Sequence, residues 1–365
     1  MKNKIVQVIG NGDPGGGTTA VLTLATLLRD AGHASMVVSQ RGSYLLEQAS
    51  ELGIAVQGLD FSSRGGAVAN CTALAALIRE QAPDIVHAHG NRAGLPCALA
   101  MRLLGRRIRP RFVYTVHGFH FLSKKPGAFH LARLAERFCI AQADSTNFVS
   151  QADAGIAREH RLARAANTRV IHNAVLASDF PPLPAARARD GIAFIGRLTH
   201  QKNPLILPDI VAAMGPLAPC VHVIGGGELE GELRRKVDAM GLASRFVFHG
   251  QQKRQATLEI ASACALLLLP SRWEGHPITV IEAMHMGMPV IASDIPGTRE
   301  IVRDGQTGYL MPAEHVGGYA AAIARLLADP AHAGALGAAA SALARADFSP
   351  ERMLEANLDV YRRAA

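Results

Sequence analysis

The feature that most constrains the fold is an alternation of short apolar runs with helix-like segments along most of the 365-residue chain. The apolar runs are rich in β-branched residues, which predicts strands, and helical spacing fills the gaps between them, first over residues 18–30. Strands separated by helices indicate parallel sheets with right-handed crossovers. The predicted strands are residues 5–9, 34–39, 84–89, 112–117, 146–150, 169–173, 192–196, 220–225, 245–250, 265–271 and 289–293.

The alternation is interrupted once, at FPPLPAARARD, where three prolines precede mixed charge. Each side holds enough strands for a doubly wound sheet. Ligands of such sheets collect outside the carboxyl ends of the strands, so we expect two sheets facing across one cleft. The predicted organisation is an N-terminal Rossmann-like domain over 1–174, a linker over 175–190 and a C-terminal Rossmann-like domain over 191–349. An amphipathic helix within 350–365 is expected to return to the first domain.

Composition places the chain among packed globular proteins. The five cysteines are scattered without a C-x-x-C pair, which favours a reducing compartment over a disulfide framework. No signal peptide is recognisable, and no apolar stretch approaches the ~20 residues that cross a bilayer. We therefore expect a cytoplasmic protein.

The net charge of +8 is partly concentrated in one arginine cluster. Such a cluster attracts nucleic acid, anionic lipid or phosphorylated substrates, and it is also compatible with a merely solvated basic face. Nothing resembles a zinc finger or an aromatic and basic RNA-binding motif, so no nucleic-acid partner is expected. The arginines of the cluster are Arg102, Arg106, Arg107, Arg109 and Arg111.

The segment GNGDPG fits the dinucleotide-binding pattern G-x-G-x-x-G at Gly10, Gly12 and Gly15. An NAD-binding protein would also need an acidic residue at the end of the second strand, where this chain has Ser39-Gln40-Arg41. Three glycines at 15–17 before a helix still suit an anion, because backbone amides and the helix dipole point towards it. The alternatives left open are a diphosphate or sugar contact and a tight strand-to-helix turn.

The most informative segment is PSRWEGHPITVIEAMHMG, which follows a predicted strand ending at Ser271. Glu274 is predicted in a loop, Pro277 in the first turn of a helix, and Glu282 in its second turn. A carboxylate is a good acceptor for vicinal sugar hydroxyls. The amides at the helix start are expected to face an anion. They belong to the segment Gly275, His276, Pro277, Ile278 and Thr279.

The segment E-G-H-P-I-T-V-I-E resembles the Glu-x7-Glu motif of glycosyltransferase family 4, the retaining nucleotide-sugar transferases with a GT-B fold. The similarity extends over nearly the whole chain. It includes the glycine loop at 15–17 and the segments YTVHGFH, VIHNAV, IGRLTHQKNP, VIGGGELEGEL, FHG and GMPVIASDIPG. The sequence departs from the common family pattern at His276-Pro277 and at Thr18-Thr19.

The resemblance implies a function for each matching residue. Arg197 and Lys202 would bind the donor diphosphate and stabilise the leaving group. Glu274 would hold hydroxyls of the transferred sugar, and Glu282 would hold the ribose. His117 would orient the sugar, so that the predicted catalytic residues are His117, Arg197, Lys202 and Glu274. From the N-terminal domain, Gly16 and Gly17 would approach the donor.

The family resemblance also implies the reaction. The donor would be a nucleoside diphosphate sugar, most simply a UDP-sugar, and the acceptor a saccharide or polyprenyl-linked acceptor in cell-surface polysaccharide synthesis. Retention is attributed in this family to front-face attack, which needs no protein nucleophile and no metal or other cofactor. The arginine cluster would then lie against anionic lipid at the inner membrane face.

Three other hypotheses remain open at this stage. The histidines His87, His89, His117 and His120 invite a zinc site, although hydrogen-bonded histidines at a polar cleft explain them as well. The glycine pattern leaves an NAD-dependent dehydrogenase. A protein with the same fold could also bind nucleotide sugars without turnover.

Overall fold

The computed structural model describes residues 2–61, 66–105, 108–123, 125–163, 165–182 and 189–362. It divides the chain into two compact units, one formed by residues 1–174 and 350–365 and the other by residues 175–349. The segment 175–182 belongs to the second unit, and a short 3₁₀ turn spans Ala177–Asp179. The remainder of the predicted linker, 183–188, lies outside the described residues.

The first unit is built on a seven-stranded parallel sheet with strand order β3-β2-β1-β4-β5-β6-β7. Its strands are β1 (Lys4–Ile9), β2 (Ala34–Gln40), β3 (Ala55–Leu59), β4 (Ile85–His89), β5 (Arg111–Val116), β6 (Ser145–Phe148) and β7 (Thr168–Val170). The chain order reverses beside β1, which is the switch point of a doubly wound sheet. Its helices up to the second unit are α1 (Gly16–Asp30), α2 (Tyr44–Glu51), α3 (Gly66–Gln81), α4 (Asn91–Leu103), α5 (Pro126–Gln142) and α6 (Gln151–Glu159).

The sheet lies between two helical layers, because the central strands carry apolar side chains on both faces. Val86 and Phe112 pack into the core formed with α3 to α6, whereas Ile85 and Val113 pack into the core on the opposite face. Strands buried on both faces need near-continuous apolar runs, and this is the pattern that made β4 and β5 predictable.

The second unit contains a six-stranded sheet with strand order β10-β9-β8-β11-β12-β13, and all its pairs are parallel. The strands are β8 (Ile192–Ile195), β9 (Val221–Ile224), β10 (Phe246–Gly250), β11 (Leu266–Leu269), β12 (Val290–Ser293) and β13 (Gly308–Met311). The helices are α7 (Leu207–Met214), α8 (Glu230–Ala239), α9 (Arg254–Ser262), α10 (Ile278–His285), α11 (Pro296–Arg299), α12 (Val316–Ala328) and α13 (Pro330–Asp347). The predicted α/β class with two doubly wound Rossmann-like domains is confirmed.

The last helix, α14 (Pro350–Arg362), belongs to the first unit and packs on α1 and β5. Met353, Val360 and Tyr361 bury its apolar face in the same core as Ile85. Among the described residues, no helix has the length and apolarity needed to cross a bilayer.

Two predicted helix starts are wrong, and two strands were missed. The helix expected at residue 18 begins at Gly16, because the Gly15 carbonyl already accepts a hydrogen bond from the Thr19 amide. Pro277 precedes α10 as its N-cap in an extended conformation instead of lying in the first turn. The strands β3 and β13 were not predicted at all.

Candidate functional site

Sheet order explains why the segments around Lys202 and Glu274 meet. β8 and β11 are adjacent and parallel, so the loops after their carboxyl ends lie side by side. The Arg272 amide donates to the Gln201 carbonyl at 2.8 Å, and the Gln201 side chain donates to the Trp273 carbonyl at 3.0 Å. These bonds join the two loops.

Lys202 and Glu274 form an ion pair at this junction, with Nζ 2.6 Å from Oε1. The Ser271 hydroxyl donates to the same oxygen at 2.7 Å. Both charged side chains are mostly buried, with exposures of 13% for Lys202 and 7% for Glu274. Both of these hydrogen bonds go to Oε1, and no described residue donates one to Oε2 of Glu274.

Arg197 lies one residue after a close crossing of two loops. An added Cβ on Gly225 would lie 2.1 Å from the Gly196 carbonyl oxygen, so the loops after β8 and β9 can approach this closely only with glycine at 225. The Leu198 amide bonds to the Gly226 carbonyl at 2.9 Å and fixes the crossing. The Arg197 side chain is exposed and makes no ion pair with the described part of the chain.

Glu282 lies on α10 and is buried, with 5% exposure. It accepts a hydrogen bond from Arg254 at the start of α9, and the same guanidinium donates to Asp179 at 3.0 Å. Burial raises the pKa of Glu282, and Arg254 opposes this shift. The structure therefore holds the second acid of the Glu-x7-Glu segment in a buried charge cluster.

The start of α10 offers fewer amides than expected. Proline has no N–H, so the donors between residues 276 and 279 belong to His276, Ile278 and Thr279. The first N–H groups of a helix lack intrahelical partners and can bind an anion. Thr279 Oγ1 is buried, and within the described residues it has no hydrogen-bond partner. The ring of His276 packs edge-on against Phe348 with centroids 5.2 Å apart.

In the first unit, Gly16 and Gly17 form the first turn of α1, where the N–H groups lack intrahelical partners. The glycine-rich segment therefore leads into a helix N-terminus, as the sequence predicts, and the helix begins directly after Gly15. The Thr18 hydroxyl donates to the Asp13 carbonyl at 2.6 Å and closes the preceding turn.

His117 follows β5 and bonds through Nε2 to Nδ1 of His89 at 3.1 Å. His89 stacks on His117, with ring centroids 5.4 Å apart, and packs against the tilted ring of His87 at 4.1 Å. His87 in turn bonds to Tyr361 and Thr115, both at 2.7 Å. Burial lowers the pKa of His87 to about 3 and that of His89 well below its usual value, so both rings are neutral near pH 7.

Hydrogen bonds join His117 to His89, and His87 to Tyr361 and Thr115. Within the described residues, no three His, Cys, Asp or Glu side chains are grouped to hold a metal ion. The side chain of His120 lies outside the described residues. His87 and His89 therefore take part in a neutral hydrogen-bonded and stacked network.

The arginine cluster is only partly described. Arg102 is exposed, whereas Arg109 donates to the Gln142 carbonyl and to Asp144. Burial lowers the pKa of Arg111, which is half-buried. Arg106 and Arg107 lie outside the described residues.

Sequence reasoning missed Arg254, Asp179 and Thr199. Arg254 and Asp179 are 28 and 103 residues from Glu282, and no local pattern links them. Thr199 Oγ1 is buried without a partner among the described residues, on the loop that carries Arg197 and Lys202. The sequence signal available for Thr199 was its position between Arg197 and Lys202, the two predicted diphosphate ligands.

The fold and these loops define a nucleotide-sugar transferase of the GT-B class, and comparisons with known proteins agree. Residues 14–178 match the model described as Glycosyltransferase Family 4, and residues 179–342 match Glycosyl transferases group 1. The chain therefore belongs to the group 1 glycosyltransferases of family 4.

Two relatives and one solved structure illustrate the likeness. The D-inositol 3-phosphate glycosyltransferase of Mycobacterium ulcerans is 30% identical over 329 residues, covering 80% of this chain and 68% of the relative. The UDP-Gal:alpha-D-GlcNAc-diphosphoundecaprenol alpha-1,3-galactosyltransferase of Escherichia coli is 28% identical, covering 69% of this chain and 68% of the relative. The structure of Anabaena Alr3699/HepE in complex with UDP and glucose has a TM-score of 0.83 at 22% identity, covering 99% and 100% of the two chains.

Proposed function

We propose that this glycosyltransferase transfers a sugar from a UDP-sugar to a saccharide or polyprenyl-linked acceptor, with retention of configuration and without a metal ion. The reaction belongs to cell-surface polysaccharide synthesis. The observation that carries the proposal is the Lys202–Glu274 pair, with Arg197 exposed on the same loop as Lys202. Lys202, a cation suited to a diphosphate, lies beside a carboxylate suited to sugar hydroxyls, and this supports the proposal.

Each group has a defined task in this reaction. The bond between the anomeric carbon and the donor phosphate oxygen breaks, and the acceptor oxygen bonds to the same face of that carbon. The acceptor proton passes to the departing phosphate. Arg197 and Lys202 stabilise the charge that develops on the diphosphate and supply the positive charge that a metal would otherwise bring. Glu274 binds the sugar and Glu282 the ribose.

The remaining donor contacts keep the roles that the family resemblance implies. Gly275 and the amides of His276, Ile278 and Thr279 support the donor at the start of α10, after Pro277. Gly16, Gly17 and His117 of the first unit are proposed to contact the donor and to orient its sugar. A UDP-galactose donor and a diphosphoundecaprenol acceptor in the name of the E. coli relative favour these substrate classes.

Turnover is tested by measuring UDP release from a panel of nucleotide sugars with saccharide and polyprenyl diphosphate acceptors. Arg197→Met and Lys202→Met should each lower kcat/KM by at least about 100-fold, since each removes charge stabilisation from the transition state. Arg235→Met is the control, because Arg235 is also exposed and has no ion pair among the described residues. If the protein binds UDP but releases no UDP from any combination of donor and acceptor, it is a binding protein and the proposal is contradicted.

Retention and metal independence have their own tests. NMR of the product should show the anomeric configuration of the donor, and excess EDTA should leave the rate unchanged. An inverted product, or a rate that is lost with EDTA and restored by Mg²⁺ or Mn²⁺, would contradict these parts of the proposal.

We further propose that the first unit binds anionic membranes through a basic and apolar surface. Residues 91–144 contain ten Lys or Arg and two Asp or Glu, a net of +8 that equals the net charge of the whole chain. Glu136, one of the two acids, is buried. Leu131 and Leu134 of α5 are 71% and 62% exposed, and Leu103, Ile108 and Leu122 are exposed on neighbouring elements. Exposed apolar side chains within a basic surface suit a peripheral membrane site.

Sedimentation with lipid vesicles tests this surface. Wild type should pellet with vesicles containing anionic lipid at low salt and lose binding at high salt. The double variant Leu131→Asp/Leu134→Asp should bind at least about tenfold more weakly, because two leucines no longer enter the interface. Val247→Asp, at an exposed valine of the second unit, is the matched control. Equal pelleting of wild type and the double variant would refute the role of α5.

A further inference from the structure

Arg254, Glu282 and Asp179 form a cluster of one cation and two carboxylates in the second unit. One guanidinium nitrogen, Nη1, donates to Oε1 of Glu282, and Nη2 donates to Oδ2 of Asp179 at 3.0 Å. The side-chain exposures are 17% for Arg254, 5% for Glu282 and 24% for Asp179. The planar guanidinium can bond two carboxylates at once, which a lysine ammonium cannot do with the same geometry.

The cluster has opposing effects on the ionisation of Glu282. Burial raises the pKa of Glu282, the charge and hydrogen bond of Arg254 lower it, and the negative charge of Asp179 raises it. Burial alone would lower the pKa of Arg254, but the two carboxylates outweigh burial and raise it. Among the described residues, Arg254 is therefore the group that stabilises the buried Glu282 as an anion.

Other titratable groups lie on α10 itself and on the elements packed around it. α10 packs on α13, β11, α9 and β12. Glu259 of α9 accepts from Gln255, and Asp347 of α13 pairs with Arg303. His332 of α13 bonds to Tyr309. Burial lowers the pKa of His285 on α10, and the positive charge of Arg345 on α13 lowers it further.

We propose that Arg254 is a positioning residue for nucleotide recognition, which fixes Glu282 as an anion with one oxygen engaged and the other directed to ribose hydroxyls. Asp179 accepts a hydrogen bond from the other terminal nitrogen of the guanidinium, Nη2. No hydrogen bond from the described residues reaches Oε2 of Glu282, which is consistent with this division of the two oxygens. The proposal rests on the function proposed above for Glu282.

The test measures UDP affinity by calorimetry between pH 5.5 and 8.5. The Glu282→Gln variant is the reference, because its UDP affinity varies with pH through every group except Glu282, including the UDP phosphate. The affinities of wild type and of the other variants are therefore compared with that of Glu282→Gln at each pH. Binding requires ionised Glu282, so the advantage over Glu282→Gln should fall as the pH drops through the pKa of this carboxyl.

Two substitutions should move the midpoint of this pH dependence, the pH at which half of the affinity advantage is lost, in opposite directions. Arg254→Met should raise it by about one to three pH units, because an opposite charge in contact lowers a carboxyl pKa by that amount. Asp179→Asn should lower the midpoint, because it removes a negative charge near Glu282. Arg254→Lys keeps the cation and should shift the midpoint less than Arg254→Met.

The outcomes separate this inference from the proposed function. Wild type that does not bind UDP, or Glu282→Gln with wild-type affinity, would refute the function of the site itself. Wild type that binds through Glu282, with an unchanged midpoint in Arg254→Met, would refute the role of Arg254. Lower affinity in both Arg254→Met and Asp179→Asn without a midpoint shift would mean a structural role only and would also refute it. If Arg254→Met fails to fold, an unchanged midpoint in Asp179→Asn overturns the inference.

Discussion

Replacement of Gly297 by alanine should displace the loop that carries Glu274. An added Cβ would lie 2.3 Å from the Glu274 carbonyl oxygen and 2.6 Å from that of Gly275. Ordinary contacts begin at 3.4 Å, so the backbone must separate by about 1 Å, the difference between 3.4 and 2.3 Å. Both obstacles are backbone atoms, which cannot move aside as a flexible side chain would.

The displacement should affect activity more than stability. A misplacement of about 1 Å costs roughly 100-fold in rate, and overpacking costs about 1–3 kcal/mol of unfolding free energy. The assays are kcat/KM from UDP release and urea unfolding. Gly334→Ala in α13 is the control, because its added Cβ meets nothing within 4 Å and should stabilise the helix by about 0.5–1 kcal/mol. A Gly297→Ala enzyme with wild-type kcat/KM would refute the reasoning.

The buried histidine network gives two further predictions. The pKa of His87 is lowered to about 3, below its unfolded value near 6.5, so the unfolded state alone takes up the proton between these values. The unfolding free energy should therefore be unaffected by His87 above pH 7 and fall by up to about 1.4 kcal/mol per pH unit below pH 6.5, a slope that His87→Gln should reduce in urea titrations. Tyr361→Phe removes the hydroxyl bonded to His87 with little change of shape, and should cost about 1–3 kcal/mol at pH 7.5. A loss below 0.5 kcal/mol would show that another group satisfies the ring.

The central strands were predictable from the sequence, whereas two edge strands were not. β11 is a buried, continuous apolar run, and β4 is buried throughout although His87 and His89 interrupt its apolar residues. β3 and β13 lie at the ends of their sheets, pair on one side only, and contain glycine. Such strands obtain their stability from the neighbouring ladder, and their own residues carry little strand pattern.

The same distinction applies to the site. Strand ends at Gly196 and Ser271 indicated that the following loops share one edge of a sheet, and Lys202 and Glu274 indeed meet there. The contacts of Glu282 could not be predicted, because Arg254 and Asp179 become its neighbours only through packing of α9 and the 3₁₀ turn. Local patterns identify which loops come together, but long-range packing decides which charges pair.

Each acid of the Glu-x7-Glu segment forms an ion pair with a cation, Glu274 with Lys202 and Glu282 with Arg254, so the stability of each pair can be tested by single and double substitutions. Removing one partner of a buried ion pair costs about 3–5 kcal/mol because a charge is left without compensation, whereas replacing both can be nearly neutral. Lys202→Met should therefore destabilise the protein more than Lys202→Met/Glu274→Gln does. For the exposed pair Arg234–Glu230, single and double substitutions should each cost less than about 1 kcal/mol. If Lys202→Met alone cost no more than the double variant, Glu274 would not depend on Lys202, and the acid would not be pre-oriented by its cation.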